Sequence, residues 1–209
     1  MEPIEDASGT SEIADDQEML MQIIGNAKRK NLFPSFWEMD EDDIDEATDE
    51  EIQNDPCKKM LWAAEYNKKE VVQTLLEENG DLVNTKDADG YTPLHRASYN
   101  DHKDMVKILL SNGADIVAQT NDGWHPLHSA ARWNCADVVS LLIQNGADIN
   151  AQTNGGQTPL HLAASQKNTR ETLEFLLMNC HIDTNIKNSI GETAQDICER
   201  TSELCSLFE

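Results

Sequence analysis

The chain has 209 residues and a formal net charge of −23, with 39 Asp/Glu against 16 Lys/Arg. Such an acid excess argues against direct binding to nucleic acid, whose phosphates call for clustered Lys and Arg. No apolar run approaches the length of a membrane span, and the five cysteines form no Cys-x-x-Cys pair. Their odd number points to reduced thiols in the cytosol, the nucleus or both.

The acid is concentrated at the front. Residues 1–56 hold 18 Asp/Glu and three basic residues, Lys28, Arg29 and Lys30. Residues 1–55 are expected to form an acidic, largely disordered leader, too poor in large apolar side chains to offset the entropy of ordering. The opening Met-Glu-Pro-Ile-Glu-Asp lacks the basic and apolar regions of a secretion signal. Ile13, Leu20, Met21, Ile23 and Ile24 make a short amphipathic pattern that stops at Gly25. Lys28-Arg29-Lys30 is a nuclear-import candidate of a kind that also arises by chance. Phe33-Pro34-Ser35-Phe36-Trp37-Glu38-Met39 then runs into Asp40–Glu51, where nine of twelve residues are acidic. Aromatic residues set in acid are the composition of disordered activation domains. Three roles stay open for this leader: a solubilising spacer, a contact for a basic partner or coactivator, or a mask over the rest of the chain.

From residue 56 onward a phrase repeats. Gly90-Tyr91-Thr92-Pro93-Leu94-His95 returns 33 residues later as Gly123-Trp124-His125-Pro126-Leu127-His128, and after 33 more as Gly156-Gln157-Thr158-Pro159-Leu160-His161. Thr92 and Thr158 predict helix N-caps, and the prolines that follow suit the first helical position, where no N–H partner is needed. His125 in place of Thr predicts a weaker cap. Small Ala97, Ala130 and Ala131 follow on a short first helix; Val106, Leu109 and Leu110, then Val139, Leu142 and Ile143, predict the apolar stripe of a longer second helix. Asn112-Gly113 and Asn145-Gly146 end those second helices. Asp87–Gly90, Thr120–Gly123 and Thr153–Gly156 are turn tips. Leu61-Trp62-Ala63-Ala64 marks a degenerate first unit started by Asp55-Pro56, and Gly191-Glu192-Thr193-Ala194 falls 35 residues after Gly156. The two extra residues are assigned to the loops Lys167–Arg170 and Asn179–His181, and Glu192–Glu209 leaves room for two short closing helices.

This period and phrase resemble the ankyrin repeat, in which each unit is a β-turn followed by two helices. The resemblance implies an all-α ankyrin solenoid of four helix-turn-helix repeats, about 57–87, 88–120, 121–153 and 154–188, with a helical cap at 189–209. In that family the recurring His, here His95, His128 and His161, makes structural hydrogen bonds between units, and binding runs through turn tips and the exposed face of the first helices. Carried over by position, the partner-binding candidates are Tyr66, Tyr91, Tyr99, Asn121, Trp124, Arg132, Trp133 and Gln157. Tyr91, Trp124, Trp133 and Tyr99 are expected to form one aromatic cluster flanked by Arg, the material of interface hot spots. Asn84 and Asn150 match ankyrin asparagines that an oxygen-dependent hydroxylase modifies, with structural hydrogen bonding as the plainer role.

No phosphate loop, Ser/His/Asp set or Cys/His pair is visible, so no catalytic residue, metal or cofactor is expected. His125 and His181 have no assignable partner in the sequence, and Cys135 reads as a small inter-helix packer. The expected function is a non-enzymatic scaffold, monomeric on its own, binding a protein partner of basic or aromatic-compatible surface through the concave aromatic face. Transcriptional regulation is its expected setting; the alternative is a cytoplasmic adaptor or assembly chaperone for a basic client.

Overall fold

The computed structural model describes residues 54–201 and 203–208. The leader's expected disorder, its amphipathic pattern and its aromatic and acidic runs lie outside the described residues. Along the described chain come α1 (Pro56–Glu65), α2 (Lys69–Glu78), a 3-10 helix (Gly80–Asn84), α3 (Pro93–Tyr99) and α4 (Lys103–Ser111). Then follow α5 (Pro126–Arg132), α6 (Ala136–Gln144), α7 (Pro159–Ala164), α8 (Arg170–Leu177), α9 (Ala194–Thr201) and a closing 3-10 helix (Glu203–Phe208). The described residues contain no strand. Four helix pairs and a helical cap thus make an all-α solenoid.

Each helix start has a visible cause. Asp55 accepts from the Cys57 N–H (2.8 Å) with Pro56 at the first position of α1. Thr92 and Thr158 accept from the N–H of His95 and His161 (3.4 Å each). At α5 the His125 side chain makes no capping bond; the His128 N–H turns to the His125 carbonyl oxygen instead (2.9 Å). Asn67, Asp101 and Asn134 take positive φ between first and second helices (55°, 56° and 61°), a conformation Asn and Asp tolerate better than most residues.

The first helices α1, α3, α5, α7 and α9 pack in series, and α4, α6 and α8 line up behind them. Leu94, Leu127 and Leu160 are buried between neighbouring units with Ala97, Ala130 and Ala163. Val106 and Leu109, Val139 and Leu142, and Leu173 and Leu176 fill the outer layer, all fully buried. A single pair could not hide these side chains alone, so each unit depends on the next. In the fourth unit the extra residues fall where chain length can be absorbed. Thr169 caps α8 34 residues after Cys135 caps α6, and Asp183 stands 35 residues after Asp148.

The turn tips interlock through the backbone. The Asn121 N–H donates to the Asp89 carbonyl (2.9 Å), Asn154 N–H to Asp122 (3.0 Å), and Ser189 N–H to Gly155 (3.0 Å). Gly123 is required there twice over: its φ is +76°, and a Cβ would stand 2.5 Å from Asn154 Oδ1 and 2.8 Å from its backbone nitrogen.

Candidate partner-binding surface

The recurring histidines are spent on the scaffold. His95 Nδ1 accepts from the Thr92 N–H (3.2 Å), which leaves the hydrogen on Nε2 for the Trp124 carbonyl of the next unit (3.0 Å). His128 does the same between the His125 N–H (3.0 Å) and the carbonyls of Ala151 and Gln157, and His161 reaches the Glu192 carbonyl (3.1 Å). Burial holds these rings neutral, pulling His95 down to about 4 and His128 to about 3. Among the described residues no group of three His, Cys, Asp or Glu is placed to hold a metal.

Asn84 and Asn150 are likewise committed. Asn84 Nδ2 donates to the Gly113 carbonyl (3.1 Å) while its Oδ1 accepts from the Asp115 N–H (2.8 Å). Asn150 repeats this on the His181 carbonyl (2.8 Å) and the Asp183 N–H (2.9 Å). Each carboxamide is a two-pronged clamp on the following unit. The position midway between them is Val117, which has neither donor nor acceptor to offer Gly146 and Asp148. An open cavity of about 340 Å³ lies there, walled by Ile116, Val117, Leu127 and Ala147 with Gln119 and His125 at its polar side. His125 Nε2 sits 3.1 Å from Gln119 Nε2, the partner that sequence spacing did not identify. Reading position 84 at steps of 33 would have exposed the missing clamp.

The expected single aromatic cluster separates into two patches. Trp124 lies just before α5 and Trp133 caps its other end; seven residues at 1.5 Å per residue put roughly 10 Å of helix between them. At the tips, the half-buried Tyr91 ring lies 5.5 Å from the Arg96 guanidinium and edge-on to His95. Arg96 is itself fixed by Asp87 (2.8 Å) and Glu65 (3.2 Å). Burial, then the nearby Asp122, push the Tyr91 hydroxyl well above its ordinary range. Trp124, also half-buried, tilts against His128 at 6.3 Å, and Gln157 is tied through its backbone to Thr153 and His128. Asn121 is less available than expected, because its Nδ2 donates to the Ala88 carbonyl (3.0 Å) as part of the tip ladder. Asp89 and Asp122 stand exposed along this edge.

The second patch is at the far ends of the first helices. Tyr99 is 42% exposed, and its ring meets Trp133 edge-on at 5.0 Å. Beneath them the buried Cys135 thiol points at the Tyr99 carbonyl (3.6 Å); burial raises it to about 12, so it stays protonated and structural. Arg132 stands beside Trp133, half-buried, with Nη1 on Ser165 Oγ (2.9 Å). Tyr66, 59% exposed, caps α1 and leans on Trp62 (5.7 Å). It therefore shares the helix-capping place of Trp133, one position off the register with Tyr99 and Arg132 expected from spacing.

Comparison with known proteins agrees with this architecture. A family profile of ankyrin repeats in three copies matches residues 42–120, 60–153 and 118–188. The chain is similar to ankyrin repeat domain-containing protein 49 of Mus musculus, 59% identical over 185 residues that cover 84% of this chain and 78% of the relative. The protein of the same name from Bos taurus is 52% identical, covering 81% and 74%. That from Homo sapiens is 53% identical, covering 77% and 67%. With the repeat phrase, the stacked helix pairs and these likenesses together, the chain belongs to the ankyrin repeat family, whose members generally serve protein–protein interaction.

Proposed function

We propose that this protein is a non-enzymatic scaffold that binds a protein partner through the exposed face of its first helices. The observation that carries this reading is the Tyr99–Trp133 pair beside Arg132. Edge-on aromatic rings left partly open next to a guanidinium are enriched where binding energy concentrates, and of the three only Trp133 packs against the core. Trp124, Tyr91 and Gln157 form a separate edge of the same surface, with Asp89 and Asp122 favouring a basic segment there.

Proximity labelling in cells tests the reading, comparing the wild-type chain with Trp133→Ala and Tyr99→Ala. Partners that depend on this face disappear from the labelled set in both variants while thermal unfolding stays unchanged. An unaltered set with both proteins folded removes the assignment. A nuclear regulatory role and a cytoplasmic chaperone role for a basic client both fit the charge of −23. Salt separates them: affinity for a client held by charge falls steeply as ionic strength rises, whereas docking on the aromatic pair is little affected.

A further inference from the structure

Every other arginine of the described residues meets a carboxylate: Arg96 with Asp87 and Glu65, Arg170 with Glu174, Arg200 with Glu192. Arg132 meets none among the described residues. Its two partners are neutral. Nη1 donates to Ser165 Oγ (2.9 Å), and the Gln166 carboxamide, assigned with its oxygen toward the guanidinium because its nitrogen would otherwise face only donors, accepts from Nη2 (3.0 Å) and Nη1. These bonds take both Nη1 hydrogens and the Nη2 hydrogen that faces Nη1. What is left over is Nε–H and the Nη2 hydrogen next to it, two parallel donors on one edge of the guanidinium plane. That edge makes no hydrogen bond within the described residues.

A guanidinium edge held rigid from behind by neutral groups is pre-organised for a two-pronged bond to a carboxylate. Partial burial removes some of its water, and burial alone lowers its proton affinity with no acid offsetting it. Trp133 follows Arg132 in the chain, and its ring meets the part-exposed Tyr99 at 5.0 Å, so an apolar pair lies on the residues next to the fork. We propose that the open edge of Arg132 receives one Asp or Glu side chain of a protein partner, with a neighbouring apolar residue of that partner seated on Tyr99 and Trp133. This rests on the docking face proposed above. The general negative charge of the array repels a run of acids, so the partner's motif is a single carboxylate among apolar or basic residues.

The test uses the full chain and pools of capped nonapeptides with randomised flanks and Glu, Gln or phosphoserine fixed at the centre. Binding is read by Trp fluorescence and by the NMR signal of the Arg132 Nε–H. The Glu pool is expected to bind about tenfold or more tightly than the Gln pool and to shift that signal. The preference vanishes in Arg132→Gln and survives only in part in Arg132→Lys, which keeps the charge without the fork. Equal binding of Glu and Gln pools, no binding by either, or a Glu preference untouched by Arg132→Gln overturns the proposal, as does a phosphoserine pool that outcompetes Glu at the same arginine. Trp133→Ala keeps the two readings apart. If it weakens Glu and Gln pools equally while their ratio ignores Arg132, the docking face stands and the carboxylate site falls; if it affects neither pool, the face itself falls.

Discussion

Replacing Asn150 by Val converts the last clamp into the broken one at Val117, and Val117→Asn attempts the reverse. The two sites share a backbone: Val117 N–H donates to Asp115 Oδ1 (3.0 Å) as Asn150 N–H donates to Asp148 Oδ1 (2.9 Å). No main-chain rearrangement is therefore needed for either exchange. Asn150→Val removes the bonds to His181 and Asp183 but leaves both groups in reach of water, so each bond is worth about 1 kcal/mol or less. A loss of about 1–2 kcal/mol follows, read as a fall in Tm of roughly 2–8 °C for an array of this size. Val117→Asn gains two such bonds, but ordering the carboxamide costs about 0.5–1 kcal/mol. It also gives up the buried half of a valine that is 51% exposed, worth about 0.5–1 kcal/mol. Its net effect is a small gain, below about 1 kcal/mol, because these terms nearly cancel. Urea unfolding of the three proteins, with equal m-values, measures both numbers. A neutral Asn150→Val, or a Val117→Asn that destabilises as much as Asn150→Val, refutes the clamp as a source of coupling between units.

Three further outcomes are expected. His125→Thr supplies the capping oxygen that α5 lacks and raises stability by about 1 kcal/mol, which chemical denaturation detects; no gain means that the His125–Gln119 contact or the cavity wall compensates. Gly123→Ala forces a side chain into positive φ and onto Asn154, costing about 3 kcal/mol, seen as a large drop in Tm; a shift under 2 °C contradicts the interlocked tips. The buried His95 and His128 protonate more readily unfolded than folded. Their contribution is thus complete above the unfolded value of about 6.5 and falls by about 1.4 kcal/mol per unit of pH for each ring below it, down to the folded values. Imidazole signals of both rings by NMR should stay in the neutral form from pH 8 to 5, and movement in that interval would falsify their burial as neutral donors.

Asn84 and Asn150 remain candidates for hydroxylation, a proposal that the clamp geometry makes specific. A modifying enzyme must first withdraw the carboxamide from its two bonds, so modification tracks local opening of the unit. Mass spectrometry on protein from cells at full oxygen decides it; Asn150 found wholly unmodified ends the idea.

Period, caps and turn glycines were legible because each is a local requirement. Thr before Pro, glycine at positive φ and Val/Leu at helical spacing act within a few residues, so one strand of text carries them. Tyr99, Trp133 and Arg132 were legible only as positions. Their grouping depends on which end of a helix each occupies, and a one-residue difference in a loop moved Tyr66 out of the expected column. Trp124 was assigned to the same cluster although the expected first helix after Pro126 already lay between it and Trp133.

What the sequence by itself determined is the solenoid, since its repeats encode the same short-range choices again and again. Only the tertiary structure decided which side chains are spent and which are left open. Asn121 looks as available as Arg132 in the sequence, but its Nδ2 bonds across 33 residues to Ala88 of the preceding unit, and Asn84, Asn150 and the three histidines are held by bonds that span 23–31 residues. Whether a polar side chain is scaffold or surface depends on the stacked neighbour that meets it, and that neighbour is set by packing.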